Sequence, residues 1–580
     1  MKLFRRLRVI KSSKPEPSWL NKFSWVTTGF VALTLLAVIL FKGYRVPFWG
    51  VEDVLIRFST VIAGLLTLTE IATHWILYFS HLNIGPNRWL QLILGVLLII
   101  GLLLPVLALS LILLYQIITI TNRLSKKGVF FNLISKMRQQ AVLSLILSFT
   151  GLIALGTLFL TFPAATTDGR GAPFVDALFT ATSATCVTGL IVRDTGTYFT
   201  TFGQVIILVL IQLGGLGIMT FSTSIAIILG HRLAPGERRL VSEMVETPRD
   251  IDIARTIRYI FLFTILAEGL GCAILFFRWL PSFPTIGLSF YNALFHSISA
   301  FCNAGFSTFN DSLIRYQGDF LVNITFISLI VFGGLGFAVV HELISKHTLR
   351  QSIRTTLRSL TVHAKLVIIT TLILIFSGAL LFFFIEYDRS LAQMPIGTKL
   401  LASLFQSVTA RTAGFNTVPI NLLHRATLFI LTILMFIGAS PGGTGGGIKT
   451  TTFAILLLAL RARLSNDEDI VIGGRTIGRD AIYRAVAILT AAVCAVCLVF
   501  FILLFIEPHP FEEVLFETVS AFGTVGLSTG ITSSLKTASR LVIIILMFVG
   551  RVGPLTLALA MAAPKTRRPI SYPQARIMVG

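Results

Sequence analysis

The residues of this 580-residue chain best placed to do chemistry are four glycines at regular intervals. Each closes a copy of one pattern: Leu-Phe, three residues, Ser or Thr, Ala, then glycine a few residues on. The copies are LFTATSATCVTG at 178–189, LFHSISAFCNAG at 294–305, LFQSVTARTAG at 404–414 and LFETVSAFGTVG at 515–526. Gly189, Gly305, Gly414 and Gly526 therefore follow one another at spacings of 116, 109 and 112, and repetition at near-constant period decides architecture before any single site does. A glycine accepts φ angles that turn neighbouring carbonyls, here those of Thr188, Ala304, Ala413 and Val525, toward an axis. Four such segments around one axis form a ring of main-chain oxygens, the device that replaces the hydration shell of K+ in a selective pore. A dehydrated metal cation is the expected cargo at these carbonyls. The third copy is one residue shorter between Ala410 and Gly414, so the ring should be only approximately fourfold.

The elements that must position these glycines follow from the hydropathy around them. Apolar runs at about 141–162, 254–280, 361–387 and 481–506 precede the four segments, and runs at about 199–230, 318–345, 422–460 and 537–562 follow them. Segments such as 172–184 are too short to cross about 30 Å of hydrocarbon, so they enter and return on one side. Irregular backbone at that depth is tolerated only where it is buried in protein or lines water, and a short helix ending at the cavity presents its negative dipole end there, which favours a cation. The reading is an all-α polytopic membrane protein. It has eight spanning helices in four helix–pore-loop–helix repeats around one pseudo-fourfold pore, plus extra N-terminal helices. The divisions are 1–140 (an extension with two or three membrane helices), 141–230, 231–345, 346–460 and 461–565 (pore repeats 1 to 4), and 566–580 (a cytoplasmic tail).

Composition agrees. Some 54% of residues are hydrophobic and only 13% charged, about half the charged share of a soluble chain. The 48 Lys and Arg exceed the 26 Asp and Glu by 22, a balance that in a soluble protein would suggest nucleic acid. Here the excess sorts by segment. Stretches 121–140, 231–258, 346–365, 461–484 and 563–580 hold 25 basic residues, whereas the alternating stretches 163–198, 281–317, 388–421 and 507–540 hold 8. The first set is assigned to the cytoplasm, and no nucleic-acid partner is expected. Cys494-x-x-Cys497 lies in an apolar run and reads as packing; no cysteine spacing suggests zinc or disulfides. No cluster of His, Asp or Cys within the spans could carry catalysis, so the chain is not read as an enzyme. No helix has the regularly spaced arginines of a voltage sensor.

The helices after the filter segments reach a further glycine 25, 28, 24 and 24 residues on, at Gly214, Gly333, Gly438 and Gly550. The residues next in line are Gly215, Gly334, Ala439 and Arg551. A guanidinium in an apolar segment costs at least about 2.5 kcal/mol at a helix centre, so it should face water or a partner. Arg551 is expected to be an electrostatic barrier in the pore, with an ion pair to Glu517 or another acid as the alternative. In the third repeat, GASPGGTGGGIKT at 438–450 places Pro441 among Gly438, Gly442, Gly443, Gly445, Gly446 and Gly447. Each glycine costs up to about 1 kcal/mol in a helix and the proline removes a bond, so the helix must break, and a break beside a filter suggests a movable flap. A P-loop is the competing motif, but Ile448 spoils its spacing and no strand precedes it.

These strings resemble the potassium-translocating subunits of the Ktr and Trk systems and their plant HKT relatives. The carriers are SATCVTGL, SAFCNAGF, TARTAGFNT, SAFGTVGLSTG, the 438–450 break and MFVGRVGPLTLAL at 547–559; the last two are closer to KtrB than to TrkH. The resemblance covers about 141–565. It implies that Gly189, Gly305, Gly414 and Gly526 line a potassium filter, that 438–450 gates it and that Arg551 projects toward the same constriction. Relatives with serine at the first filter position tend to admit sodium; this chain has Gly189. The resemblance further implies a homodimer in the plasma membrane, in contact with lipid, on a cytosolic ring of KtrA/TrkA-like subunits. The nucleotide then belongs to the partner, with no cofactor in this chain, and 231–258, 346–365 and the tail are candidate docking surfaces. The sequence leaves open whether Na+ activates. Two other transport readings stand beside this one: a sodium-permeable or sodium-coupled version of the same pore, and a secondary carrier, against which the parallel repeats argue.

In the N-terminal extension, apolar candidates lie near 24–42, 57–79 and 90–120, and a removable signal peptide is not expected. Two crossings would place the basic N-terminus inside and three outside. Glu70 and His74, four apart on one helical face, read as packing or interfacial residues.

Overall fold

A computed structural model describes residues 18–38, 52–78, 98, 111–112, 115–116, 141–217, 253–346, 359–467, 469–472 and 474–554. Most of the 90–120 candidate, the basic stretch 121–140, much of 231–258 and 346–365, and the 563–580 tail lie outside the described residues. The described chain is mostly helical. Two helices open it, α1 (Ser18–Val38) and α2 (Glu52–Tyr78). They share a small core of their own around Val31 and Ala63. Glu70 is buried there, accepting from the Ser24 hydroxyl and lying 3.5 Å from the Gln116 amide nitrogen, which is the packing role expected for it. The His74 side chain lies outside the described residues.

The rest of the chain runs four times through a long helix, a short helix, a glycine-bearing loop and a second helix. The long helices are α3 (Ala141–Leu160), α6 (Ile253–Trp279), α10 (Val362–Glu386) and α14 (Arg479–Ile506); the short ones are α4 (Phe174–Thr185), α7 (Ile286–Phe301), α11 (Ile396–Thr409) and α15 (Phe511–Gly523). Three short helices start directly after a proline, at Pro173, Pro395 and Pro510, whose φ values of −51°, −62° and −56° set the entry angle. The other starts at Thr285, whose hydroxyl accepts the Leu288 N–H at 3.2 Å.

The second helices are α5 (Thr201–Leu216), α8 (Phe320–Gly334) with α9 (Phe337–Lys346), α12 (Arg425–Phe436) with α13 (Thr450–Leu464), and α16 (Thr537–Val552). The third breaks between Phe436 and Thr450, as the glycine run requires. It is not alone, and this differs from the expectation that only the third of the second helices is broken. The second bends by 105° between α8 and α9, and α5 and α16 stop at Gly217 and Gly553, whose φ values are 75° and 93°. Among the described residues, the helices long and apolar enough to cross a membrane are at 53–73, 259–282, 362–386 and 479–506; counting the bent pair as one span gives a fifth. A two-strand hairpin, β1 (Val471–Ile472) and β2 (Arg475–Thr476), lies in the basic segment before α14.

The four units share one core. The phenylalanines of the repeated pattern, Phe179, Phe295, Phe405 and Phe516, are fully buried in it, as are Ala184, Ala300, Ala410 and Ala521, whereas Phe277 and Phe505 point outward. Lipid tails are as apolar as phenylalanine, so burial alone does not drive the units together; close packing and hydrogen bonds must do so. Each seam has its polar tie. Tyr291 donates to Gln204 Oε1 at 2.8 Å between units one and two, and the Leu313 N–H donates to the Asn416 carbonyl at 3.0 Å between two and three. Arg425 pairs with Glu512 at 3.0 Å between three and four, and Arg540 with the buried Asp176 between four and one.

Candidate functional site

The four glycines meet. A Cβ placed on Gly189 would lie 2.5 Å from the Ala304 carbonyl oxygen, and one on Gly305 would lie 2.8 Å from the Ala413 oxygen. One on Gly414 would strike the Val525 oxygen, and one on Gly526 the Thr188 oxygen. The contacts run from each unit to the next and close on the first, so Gly189, Gly305, Gly414 and Gly526 form a ring with Thr188, Ala304, Ala413 and Val525 interleaved between them. No side chain other than hydrogen fits at these positions. Their φ values of 88°, 70°, 80° and 91° belong to the region glycine favours.

The backbone around the ring repeats in finer detail. Two residues before each glycine stands another left-handed residue: Val187, Asn303, Thr412 and Thr524, with φ of 57°, 59°, 77° and 51°. Such angles are strained for valine and threonine, and the surrounding bonds hold them. The N–H of the residue before each glycine returns to the carbonyl of the pattern's Ser or Thr: Thr188 to Ser183 at 2.7 Å, Ala304 to Ser299 at 2.8 Å, Ala413 to Thr409 at 2.9 Å and Val525 to Ser520 at 2.9 Å. The return spans five residues in three units and four in the third, so the missing residue is absorbed inside this turn and the ring still closes. The hydroxyls of Ser183, Ser299 and Thr409 reach past the glycine to the carbonyls of Leu190, Phe306 and Phe415 at 2.6–2.8 Å, while Ser520 accepts the Gly526 N–H at 3.1 Å. The sequence pattern contained these residues without indicating that they clamp the loops.

Gly214, Gly333 and Gly550 serve packing. A Cβ on any of them would collide with the carbonyl of Thr185, Phe301 or Phe522 at the end of a short helix. Gly438 has a different neighbour, Gly446 of its own loop, and it opens the segment 437–449. The neck of that segment is tied by the Gly438 N–H to the Ile448 carbonyl at 2.9 Å and by the Ile448 N–H to the Phe436 carbonyl at 3.3 Å. Its body lies against other units. Ser440 and Thr444 donate N–H bonds to Gly334 and Gly333 at 3.0 Å each, and the Gly442 carbonyl accepts from Phe337 at 3.2 Å. The Pro441 carbonyl fills the space a Cβ on Gly336 would need, and the Gly334 carbonyl lies 2.8 Å from where a Gly443 Cβ would stand. Gly445 packs on Thr412, Gly446 donates to the Thr524 hydroxyl at 2.9 Å, and Gly447 takes φ 68° beside Gly438. Thr412 and Thr524 lie two residues before their ring glycines, so the loop adjoins the ring on the side from which the short helices arrive.

Arg551 completes the arrangement. Its guanidinium donates to the Thr444 carbonyl of the loop and to the Gly214 carbonyl of α5, with Gly215 at 3.4 Å. It bonds to main-chain oxygens of two other units. Glu517, the alternative partner considered above, is engaged elsewhere, by Ser528, Thr529 and Thr532.

Residues 134–567 match the family described as TrkH: Cation transport protein. The chain belongs to the TrkH cation transport family. It is 40% identical over 431 residues to the Ktr system potassium uptake protein B of Bacillus subtilis, covering 74% of this chain and 94% of that one. It is 38% identical over 438 residues to the Vibrio alginolyticus protein of the same name, covering 75% and 94%, and 34% identical to the potassium/sodium uptake protein NtpJ of Enterococcus hirae, covering 74% and 95%. The crystal structure of the potassium transporter TrkH from Vibrio parahaemolyticus superposes with a TM-score of 0.60 at 18% identity, covering 87% of this chain and 98% of that one. At that identity the likeness shows a shared TrkH-family fold. Together with the apolar helices, membership of the TrkH family makes this a multi-pass membrane protein of cation transport.

Proposed function

We propose that this chain is the potassium-translocating membrane subunit of a Ktr-type uptake system and that the glycine ring is its selectivity filter. The closed ring of contacts among the four glycines carries the reading. The carbonyls of Thr188, Ala304, Ala413 and Val525 stand in for the water shell of an arriving K+. The C-terminal ends of α4, α7, α11 and α15 lead into the ring, and their dipoles favour a cation there. The names of the Bacillus and Vibrio relatives support potassium as cargo, while that of the Enterococcus relative raises sodium as a second permeant ion.

In this reading the 437–449 loop, with Gly438, Pro441, Gly442, Gly443, Gly445, Gly446 and Gly447, is the gate, and Arg551 is its latch. The guanidinium holds the Thr444 and Gly214 carbonyls together and places a positive charge beside the cation route. Hydrogen bonds from a charged donor contribute about 1.5–3 kcal/mol each, so two of them bias the loop toward closure by roughly two orders of magnitude or more. Opening would have to release them, and a force on α13 or the adjoining basic segment would do so. We assign that force to a cytosolic nucleotide-binding ring, with the nucleotide in the partner, and the working unit to a homodimer in the plasma membrane.

The test is uptake rescue in cells lacking potassium transport, with and without a cytosolic ring subunit, joined to reversal potentials in K+ and Na+ gradients. Rescue with a reversal potential that follows K+ is expected. Equal K+ and Na+ permeability would remove the selectivity claim and favour the sodium-permeable reading.

A further inference from the structure

One position repeats in all four units and differs chemically in each. The residue following Leu-Phe in the pattern is Thr180, His296, Gln406 or Glu517, and all four are buried. What each can hold depends on the loop that follows the ring glycine. In the first unit the second residue past the glycine is Ile191, which offers no polar side chain, and the Thr180 hydroxyl has no hydrogen-bond partner among the described residues. In the third unit the Gln406 amide nitrogen lies 3.5 Å from the Thr417 hydroxyl, at the limit of a bond, and its oxygen is unpartnered among the described residues. In the second, His296 Nε2 meets the Ser307 hydroxyl at 3.0 Å while Nδ1 faces the Asn292 carbonyl at 2.8 Å. In the fourth, the Glu517 carboxyl gathers three donors: the Ser528 hydroxyl, the Thr529 N–H at 3.2 Å and the Thr532 hydroxyl at 2.9 Å. Ser528 also accepts the Gly530 N–H at 2.8 Å, so residues 528–532 wrap around one buried carboxyl.

The four quarters are thus braced unequally, from no bond through one to three. Carbonyl spacing in a cation filter is set by what holds the loops from behind, because small misplacements at a preorganised site carry large functional costs. A carboxyl has about four acceptor positions and no donor when ionised, so it can hold three donors at once where a hydroxyl or amide cannot. We infer that Glu517 is a positioning residue for ion selectivity: it fixes the outer half of the fourth filter segment, and discrimination of K+ from Na+ depends on it far more than on Thr180 or Gln406. The inference rests on the ring being the filter.

The experiment measures the Na+/K+ permeability ratio from reversal potentials of the full-length protein. Glu517→Gln keeps the shape of the side chain but turns an amide N–H₂ toward donors. It should raise the ratio at least about fivefold while K+ flux persists, because losing about 1 kcal/mol of positioning is worth nearly that factor. Ser528→Ala and Thr532→Val each remove one donor and leave the carboxyl in place; each should raise the ratio about twofold. Thr180→Val, at the unbraced position, should leave it unchanged. A merely structural role would lower protein amount and total flux and leave the ratio alone. Should Glu517→Gln fail to fold, the two donor variants decide. Unchanged ratios in the Glu517, Ser528 and Thr532 variants, together with a shifted ratio in Gly189→Ser, overturn the inference and leave the filter standing. Unchanged ratios in all of them overturn the filter reading and this inference with it.

Discussion

The glycine ring and the loop at 437–449 are both irregular backbone rich in glycine, but they are held in opposite ways. Each ring segment is bonded mainly to its own unit, through the Ser or Thr of its short helix: the main-chain return bond recurs in all four units, and the hydroxyl-to-carbonyl bond in three. The loop occurs once. Its neck is tied to itself, and its body is held by bonds to Gly333, Gly334, Phe337, Thr524 and Arg551 of other units. A site that must keep its dimensions gains from repetition and from bracing within each unit, which fixes every carbonyl before the units meet. A segment that must move gains from having its ties on parts that can shift relative to it.

That contrast has consequences that should split by direction: ring variants block passage or change which ion passes, and loop variants raise how much passes. The largest effect is expected from Gly526→Ala, which places a methyl against the Thr188 carbonyl at a φ of 91°. Strain of about 3 kcal/mol at a site without slack should cut K+ uptake roughly 100-fold, as measured by rubidium uptake with protein amount controlled; near-normal uptake would show that the ring is not a constriction. Next, Arg551→Ala should raise basal flux about 10- to 100-fold without the ring subunit, since both latch bonds are lost. An unaltered flux would return Arg551 to a packing role. Deleting Gly442–Gly446 should raise flux about tenfold and blunt regulation, the ratio of ions staying nearly fixed. A smaller change is expected from Gly189→Ser, whose Cβ would stand 2.5 Å from the Ala304 carbonyl oxygen against 2.3 Å at the Gly526 contact, so the ring backbone must shift to admit it but by less. Sodium permeation should rise severalfold against potassium, and the contrast fails if only total flux changes. Least of all, Asp176→Asn weakens the ties to Arg193 and Arg540. It should leave uptake and selectivity alone while costing about 3 kcal/mol of stability in a detergent unfolding assay, since it removes the charge of a buried partner.

Much of this was legible in the sequence because the constraint repeats. A glycine that admits no Cβ leaves the same letter in four places, and the buried Phe179, Phe295, Phe405 and Phe516 keep the frame visible. The break after Phe436 was legible because a proline among six glycines cannot be helical. Other features depend on contacts that propensity does not encode. Val187 is β-branched and sits at φ 57°, a conformation nothing local favours; the clamp from Ser183 enforces it. The stops at Gly217, Gly336 and Gly553 were missed because a lone glycine in an apolar run is compatible with a helix, and the Pro441 carbonyl that excludes a side chain at Gly336 comes from a distant segment. The partners of Arg551 were beyond reach for the same reason: they are carbonyls, which every residue has.

The tie between Asp176 and Arg540 joins residues 364 positions apart, and the contact of Gly526 with the Thr188 carbonyl spans nearly as much chain. The circle therefore closes only once the fourth unit is in place: its last contacts join the two ends of the four-unit array, so three units alone leave the ring open.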